Sequence, residues 1–202
     1  GDLPVPEPGV DQALIRINAS GVCHSDLHLA KGDWMGVSTP QLGHEAIGVV
    51  ERLGPGAEQF VQVGQRVILG LGGAGGAYWC GACEYCLGGR PRHCPQAQTV
   101  MGTFAEQYCI WAKALVPIPD GISDEVAAAV MLKGLTAHYL IHHSYAAQVG
   151  DTVLVHAAAG GVGLIACQWL AARGIRAIGT AGGAAKVALA RANGYAHVID
   201  YC

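Results

Sequence analysis

The sequence predicts a chain of two parts, a β-rich domain over residues 1–120 and an α/β domain with about three parallel strands over residues 121–202. Short β-branched runs bounded by glycine occur in the first part, as is typical of strands. In the second part a strand, a glycine-rich turn and a helix follow one another. The turn-forming stretch P-I-P-D-G at Pro117–Gly121 marks the change between the two parts.

Three runs predict strands in the first domain. Ala13–Ile17 alternates in a way that is typical of a half-buried strand. His44–Leu53 and Gln65–Leu71 are rich in β-branched residues and are bounded by glycine. The first part is therefore expected to be a β-rich domain with long loops between its strands.

Four cysteines in the first domain give the strongest spacing signal of the sequence. Cys80, Cys83, Cys86 and Cys94 form the pattern C-x₂-C-x₂-C-x₇-C. Four thiolates on one compact loop match a closed tetrahedral zinc site, which leaves no position open for substrate. An iron–sulfur cluster and free thiols are the alternatives, but the related ferredoxin run has a shorter last gap. The pattern therefore predicts a structural Zn²⁺ site.

A second group of metal-binding residue types lies earlier in the chain, in the stretches G-V-C-H-S-D-L-H and G-H-E. Cys23 and His44 offer a thiolate and an imidazole, the pair that zinc takes from proteins. Ser25 and His28 can carry a proton away through a hydroxyl and an imidazole. Glu45 adds a carboxylate, as a further ligand or as a partner of the ligands. The alternative is a buried thiol with scattered polar loop residues.

The second domain begins with a helix and continues with alternating strands and helices. Ser123, followed by two acidic residues, predicts a helix start, because a capping hydroxyl and early acids stabilise a helix N-terminus. The later elements are expected as strand, helix, strand, helix and strand at Thr152–His156, Leu164–Ala172, Arg176–Thr180, Ala184–Asn193 and His197–Tyr201. This β-α-β-α-β order predicts part of a Rossmann domain.

The turn A-A-A-G-G-V-G, between the first of these strands and its helix, is a candidate dinucleotide site. Gly160 lets the backbone approach a pyrophosphate, Gly163 lets the helix pack close to the strand, and Gly161 and Val162 lie between them. The helix N-terminus supplies amide donors for phosphate. Ala158 stands at the first glycine of G-x-G-x-x-G, so the assignment depends on the placement of the turn between strand and helix.

The residues around the end of the second strand predict a preference for NADP(H) over NAD(H). An NAD site normally has Asp or Glu there, about 20 residues past the glycine turn, to bond the ribose 2′-hydroxyl. The stretch Gly179–Lys186 contains no carboxylate, whereas Lys186 offers a positive charge and Thr180 a hydroxyl to a 2′-phosphate. The alternative is that Lys186 is only a solvated residue at the start of a helix.

Composition narrows the classes of function. A formal net charge of −3 and the absence of a basic stripe argue against nucleic acid or an anionic membrane as a partner. No run approaches the roughly 18 apolar residues of a membrane span, and no signal-peptide pattern is visible. The spacing of the 8 cysteines favours metal thiolates in a reducing cytoplasm over a disulfide framework. The expected partner is therefore a small molecule.

The motifs of the first domain resemble those of the zinc-dependent alcohol dehydrogenases in the medium-chain dehydrogenase/reductase superfamily. The resemblance implies a GroES-like catalytic domain. It also implies that Cys23 and His44 are zinc ligands and that Glu45 is the carboxylate near the metal. Ser25 and His28 would form the proton relay. The stretch C-E-Y-C-L-G-G-R resembles the structural zinc lobe of the same enzymes.

The second domain resembles a different branch of that superfamily, the zinc-free, NADPH-dependent quinone oxidoreductases, in V-M-L-K-G-L-T-A-H-Y-L and V-L-V-H-A-A-A-G-G-V-G. In those enzymes a lysine at the Lys186 position and a tyrosine at the Tyr201 position contact the adenosine phosphate. Leu132 stands where alcohol dehydrogenases usually supply a third zinc ligand, a cysteine. Two alternatives follow: the other three predicted ligands and water hold the zinc, as in polyol dehydrogenases, or the zinc is weakly held or absent.

We expect a zinc- and nicotinamide-dependent oxidoreductase that acts on an alcohol/carbonyl pair. An NADPH-dependent reductase of quinones or enones without a catalytic metal is the alternative among enzymes, and a non-catalytic zinc-binding module is the alternative outside them. The residues present correspond to about the first two-thirds of such a family chain, so a fragment or an unusually reduced protein is expected. A homo-oligomer is expected too, since a partner would cover the edge of the sheet.

Overall fold

The computed structural model describes residues 3–33, 41–69 and 77–202. It divides the chain into two compact units, Gly1–Leu132 and Lys133–Cys202. A helix at Asp124–Tyr139 runs through the point of division, so the units do not separate at the end of an element. The domain boundary predicted between residues 120 and 121 stays a prediction.

An antiparallel sheet forms the centre of the first unit. In chain order, strands β1 to β7 of the described part of this unit are Gln12–Ser20, Ala46–Leu53, Arg66–Leu69, Ala77–Tyr78, Gln98–Thr99, Gln107–Trp111 and Leu115–Pro117. Five of these strands form the sheet, in the order β6-β1-β2-β3-β7, while β4 pairs with β5.

Side-chain alternation places one face of the five-stranded sheet in a hydrophobic core. Ala13 and Ile15 of β1 are fully buried there, and Val50 of β2 and Val67 of β3 pack with them. The predicted strands in these three places are confirmed. The third predicted run, Gln65–Leu71, is found as β3, and its last two residues lie outside the described ranges.

Strands β6 and β7 were not predicted. β6 pairs with β1 from Gln12↔Trp111 to Arg16↔Gln107, but its sequence Q-Y-C-I-W has no clear alternation and only Ile110 among these residues is buried. Pairing with β1, not a local pattern, therefore defines this strand. β7 includes Pro117 of the predicted linker, which pairs with Val67 at the edge of the sheet.

Three helices, α1 to α3, occur in the described part of the chain up to residue 139, at His24–Lys31, Glu84–Leu87 and Asp124–Tyr139. α1 was not predicted, although it lies inside the candidate metal motif. Cys23 precedes it, and the Cys23 amide donates to Oδ2 of Asp26 at 2.9 Å. An acidic side chain at the third helical position stabilises a helix start in this way.

Helix α3 begins where the sequence predicts. Ser123 Oγ accepts the amide of Val126 at 3.3 Å, and two acidic residues occupy the first turn. A π-helical turn at Leu140–Ser144 follows the helix. Across the described ranges, no helix combines the length and the apolar character needed to cross a membrane.

Strands and helices alternate in the second unit, as β8, α4, β9, α5 and β10 at Thr152–Val155, Gly161–Ala172, Arg176–Ala181, Ala184–Ala192 and His197–Asp200, respectively. The three strands form a parallel sheet in the order β10-β9-β8. Cys167 and Leu170 of α4 are buried against this sheet with Ala177 of β9. The observed order confirms the predicted partial Rossmann arrangement.

Candidate metal sites and cofactor-binding turn

The structure brings together the residues predicted for the catalytic metal site. Cys23 directly precedes α1, and His44 and Glu45 directly precede β2. One potential ligand atom of each residue lies within 4.8 Å of the other two. His44 and Glu45 are buried, with 3% and 5% of their surface exposed, and Cys23 is partly exposed. Small side-chain adjustments would bring all three onto one ion.

Asp26, a buried carboxylate to which the sequence analysis gave no role, orders this site. Its Oδ2 accepts the amide of Cys23 and its Oδ1 accepts the amide of Gly43, each at 2.9 Å. Nδ1 of His44 lies 3.2 Å from the same Oδ1, without meeting hydrogen-bond geometry. Its position could have indicated this role, because Asp26 lies three residues after Cys23 at a helix start, where acidic side chains accept hydrogen bonds from backbone amides.

The donor set fits zinc. Because Nδ1 of His44 faces Asp26, Nε2 is the nitrogen left for a metal, and carboxylates orient metal-binding histidines in this way. A thiolate, an imidazole and a carboxylate give three protein ligands, and catalytic zinc sites keep the fourth position for water or substrate. Leu132 is half-buried and has no donor atom. A three-ligand site therefore depends on Glu45.

The predicted proton relay lies on α1. Ser25 and His28 are three residues apart, so they share a face of the helix. Ser25 Oγ lies 3.6 Å from Cys23 Sγ. His28 Nδ1 lies 2.9 Å from Oδ2 of Asp33, a residue that the sequence analysis missed, and both side chains are about half exposed. Asp33 fixes the orientation of the imidazole, and the catalytic role of the relay stays a prediction.

The four cysteines of the predicted structural zinc site converge. The sulfur of Cys86 lies 3.5 Å from that of Cys83 and 3.9 Å from that of Cys80. The sulfur of Cys94 lies 3.6 Å from that of Cys80. Zinc–sulfur bonds of about 2.3 Å in a tetrahedron place the sulfurs about 3.8 Å apart. The arrangement fits one zinc ion, whereas a cluster spreads its thiolates over several irons.

Backbone amides and removal from water make this donor set suitable for a cation. The amides of Ala82 and Cys83 donate to Cys80 Sγ at 3.4 and 3.3 Å and lower the pKa of the Cys80 thiol to about 6. Removal from water raises the pKa of the Cys86 thiol to about 12. A bound cation supplies the charge that stabilises all the thiolates, so metal binding is coupled to proton release.

The glycine-rich turn leads from β8 into α4. Gly160 caps the helix and Gly161 is its first residue, so the amides of the first turn are available to a phosphate. A side-chain carbon at Gly163 would come within 2.6 Å of a backbone carbonyl oxygen of the turn. Only glycine allows this close packing. Val162 packs against the core, and the hydroxyl of Tyr195 donates to the Gly163 carbonyl at 2.7 Å.

Of the three residues predicted at the adenosine end of the cofactor, Thr180 lies near the end of β9, Lys186 in α5 and Tyr201 directly after β10. Thr180 is buried, and its Oγ1 lies 3.1 Å from Nδ1 of His156, so its hydroxyl already has a partner. Lys186 is exposed in the first turn of α5. The ring of Tyr201 lies over Gly182, where an added side-chain carbon would be 2.8 Å from it. Lys186 and Tyr201 therefore border the turn between β9 and α5.

A carboxylate that the sequence analysis missed also reaches this turn. β9 and β10 are parallel neighbours, with Ala181 opposite Asp200. The amides of Gly183 and Cys202 donate to Asp200 Oδ1 at 2.8 and 3.1 Å. The Gly183 amide is the main cause of a lowered pKa of the Asp200 carboxyl, so the group is charged at neutral pH. The stretch Gly179–Lys186 itself contains no carboxylate, as predicted, but the carboxylate of Asp200 lies next to it in the structure.

Comparisons with known proteins match both parts of the chain. The family model described as the alcohol dehydrogenase GroES-like domain matches residues 9–120, which confirms the predicted GroES-like fold. A quinone oxidoreductase of Pseudomonas aeruginosa is 38% identical over 201 residues, covering 99% of this chain and 53% of the relative. An alcohol dehydrogenase of Schizosaccharomyces pombe is 35% identical over 211 residues, covering 99% and 57%.

A solved structure is similar along the whole of this chain. The crystal structure of the Escherichia coli quinone oxidoreductase complexed with NADPH has a TM-score of 0.78 at 31% identity. The match covers 100% of this chain and 53% of that one. The chain therefore spans about half the length of the relatives that it matches.

Proposed function

This chain belongs to the alcohol dehydrogenase GroES-like domain family, within the medium-chain dehydrogenase/reductase superfamily, and we propose that it serves a zinc-assisted, NAD(P)-dependent oxidoreductase of an alcohol/carbonyl pair. The observation that carries the proposal is the convergence of Cys23, His44 and Glu45 within 4.8 Å. When bound, zinc supplies a Lewis acid for the substrate oxygen and the nicotinamide supplies or accepts the hydride.

The chain's own residues prepare this chemistry. Asp26 accepts the Cys23 amide and faces the histidine ligand, so both ligands are oriented before a metal binds. In the proposed mechanism Ser25 Oγ, which lies 3.6 Å from Cys23 Sγ, accepts the proton that leaves the alcohol as it gives its own hydroxyl proton to His28. His28, which Asp33 orients, passes that proton to solvent. The half exposure of the His28–Asp33 pair supports this last step.

The second unit binds the cofactor at the turn Gly160–Gly163 in this proposal, and it prefers NADP(H). The support is Lys186, an exposed cation, and Tyr201, both of which border the turn after β9. A charge-assisted contact to phosphate is worth about 1.5–3 kcal/mol, or about tenfold or more in affinity. Lys186→Ala should therefore weaken NADPH about tenfold and leave NADH unchanged. Equal affinities for both cofactors, unaltered by the substitution, contradict the preference.

Leu132 favours a second candidate function, an NADPH-dependent reductase of quinones or enones that needs no catalytic metal. An apolar side chain stands where the resemblance expects a thiolate, and one of the matched relatives is a quinone oxidoreductase. In that case the residues around Cys23 would not need to hold zinc during turnover.

Elemental analysis of zinc, combined with titration of NADPH and NADH, separates the candidates. Two zinc ions per chain with cofactor binding support the zinc-assisted oxidoreductase. One zinc ion with NADPH binding supports the quinone or enone reductase, and zinc without cofactor binding supports a non-catalytic zinc-binding module. Cys23→Ser should remove one zinc ion in the first case only. Cys109→Ser is the matched control, since Cys109 lies on β6 and belongs to neither of the two candidate metal sites.

Two further parts of the proposal concern the setting of the protein. We place it in the cytoplasm, because the zinc thiolates need a reducing compartment. A homo-oligomer follows from the outer strands of the three-stranded sheet, where Leu154 of β8 and Ile199 of β10 are about half exposed. Light scattering during size-exclusion chromatography measures the oligomeric state.

A further inference from the structure

We infer that Asp200 sets how strongly the second unit discriminates between NADP(H) and NAD(H). Its carboxylate stands at the place that recognises the 2′-substituent of the adenosine ribose. There it disfavours a 2′-phosphate and accepts a hydrogen bond from a 2′-hydroxyl. The inference rests on the proposed function, in which the second unit binds one of these cofactors.

The position of this carboxylate follows from the strand order. In a Rossmann unit the residue that recognises the 2′-substituent lies about 20 residues past the glycine turn, at the end of the second strand. Gly183 lies 20 residues past Gly163, just beyond β9. Its amide donates to Asp200 Oδ1 at 2.8 Å. The third strand therefore brings to this place the carboxylate that other Rossmann units carry on the second strand.

Backbone contacts hold Asp200 in position. It is the register partner of Ala181 in the parallel pair of β9 and β10. The amide of Tyr201 donates to the Ala181 carbonyl at 3.2 Å, and the amide of Cys202 donates to Asp200 Oδ1 at 3.1 Å. Because Oδ1 accepts two amides, Oδ2 is the oxygen that can meet a ribose hydroxyl. A group that is already ordered loses little entropy on binding.

Charge decides the direction of the effect. The Gly183 amide precedes the N-terminus of α5, a place that favours an anion, and Asp200 supplies that anion from within the chain. A 2′-phosphate adds nearly two further negative charges, so phosphate and carboxylate repel each other. Lys186, in the first turn of α5, attracts the same phosphate. The preference for NADP(H) is thus the balance of Lys186 against Asp200.

Titration of NADPH and NADH against wild-type protein and Asp200→Asn tests the inference. Asparagine keeps an oxygen for the Gly183 amide but removes the charge. The ratio of the NADH Kd to the NADPH Kd should therefore rise about threefold or more. Asp151→Asn is the matched control and should leave the ratio unchanged. Asp151 also accepts a backbone amide, from Gln148 at 2.8 Å, but it precedes β8 at the other end of the parallel strands.

Two further arms keep the result decisive. Asp200→Ser removes the charge with a smaller polar side chain, and it replaces the asparagine variant if circular dichroism shows that variant to be unfolded. Titration with 2′,5′-ADP and 5′-AMP measures the effect of the 2′-phosphate without the nicotinamide. An unchanged or lowered ratio in the folded Asp200 variants overturns the inference alone. Wild-type protein that binds none of the four nucleotides overturns the proposed function and the inference with it.

Discussion

One residue, Asp26, positions the ligands of the candidate metal site, although it is not itself a predicted ligand. Asp26 is buried, with 3% of its surface exposed. A buried carboxylate is costly unless hydrogen bonds compensate for lost water. The amides of Cys23 and Gly43 supply that compensation at 2.9 Å each, and they also tie the backbone next to both ligands. In the proposed site, Asp26 therefore acts on the metal through Cys23 and His44, as a positioning residue.

Replacing Asp26 with asparagine should weaken zinc binding at the Cys23 site by about 10- to 100-fold, because the orienting charge next to the histidine ligand is lost. Competition against a chromogenic chelator measures this affinity, with the zinc of the four-cysteine site as an internal reference. Asp33→Asn removes a carboxylate from the neighbouring half-exposed pair and should leave zinc affinity unchanged. Equal zinc affinities in wild type and Asp26→Asn would contradict the positioning role.

Among the elements, the segment that carries the four cysteines has little apolar support. Helix α2 is only four residues long and contains no buried residue, and Leu87 in it is 76% exposed. A helix this short is not stable by itself in water. A bound zinc ion is therefore expected to supply much of the stability of this segment, as in other small zinc-binding structures.

Cys86→Ser should remove one zinc ion per chain and lower the melting temperature and the solubility, because three thiolates no longer close the tetrahedron. Elemental analysis measures the zinc content, circular dichroism measures the melting temperature, and the protein left in the supernatant after centrifugation measures the solubility. Cys109→Ser makes the same chemical change on β6, and it should keep the zinc content. An unaltered melting temperature and zinc content in Cys86→Ser would show that the site is not structural.

Hydrogen bonds between side chains join α3 to the sheet of the first unit. Asp124, the first residue of α3, accepts hydrogen bonds from Nδ2 of Asn18 on β1 at 2.7 Å and from Nε of Arg66 on β3 at 3.0 Å. The bond from Asn18 is the main cause, and the bonds from Arg66 a further cause, of a lowered pKa of the Asp124 carboxyl. One side chain thus connects three elements.

This link makes stability depend on pH in a defined direction. Because folding lowers the pKa of Asp124, its carboxylate contributes stability above its unfolded pKa of about 3.9 and loses it as pH falls through the folded value. Asp124→Asn should lower the free energy of unfolding by about 1 kcal/mol at pH 7, and this difference should disappear in strong acid. Urea unfolding of both proteins at pH values between 7 and strong acid measures this difference in the free energy of unfolding. Asp120→Asn, at an exposed position, is the control, and a difference independent of pH would argue against the link.

On the scale of the whole molecule, the two candidate zinc sites differ in the number of protein ligands that they offer to the ion. The four-cysteine site has a complete tetrahedral donor set, with its four sulfurs within 4.8 Å of one another and three of the pairs 3.5–3.9 Å apart. The Cys23 site has three donors, a thiolate, an imidazole and a carboxylate, and Leu132 stands where the resemblance expects a cysteine as the third zinc ligand. Thiolate ligands are softer and hold zinc more tightly than a carboxylate and water do. The two sites are therefore expected to lose zinc at different rates.

Dialysis against a mild chelator should strip one zinc ion well before the other, and the early loss should come from the Cys23 site. Leu132→Cys should slow that loss by restoring a thiolate. Val130→Cys adds a thiol at an exposed position of the same helix and should not. Zinc measured along the dialysis reads out both steps. A single tightly bound zinc ion in fresh protein would favour the quinone or enone reductase.

The sequence by itself determined those features whose atoms lie close together along the chain. The spacing of Cys80, Cys83, Cys86 and Cys94 places four sulfurs on one short segment, so a tetrahedral site follows from local geometry. The glycine turn between β8 and α4 is also local, because strand, turn and helix are consecutive. Alternation was enough to predict β1, and β-branched runs bounded by glycine were enough to predict β2 and β3.

Only the tertiary structure decided the contacts between segments that are distant in sequence. β6 exists because β1 offers it a partner, and Asp26 meets Gly43 and His44 because α1 lies against the start of β2. Asp200 reaches Gly183 because β9 and β10 are parallel neighbours. Charges act through space and not along the chain. For that reason a stretch without acidic residues did not imply a site without a carboxylate.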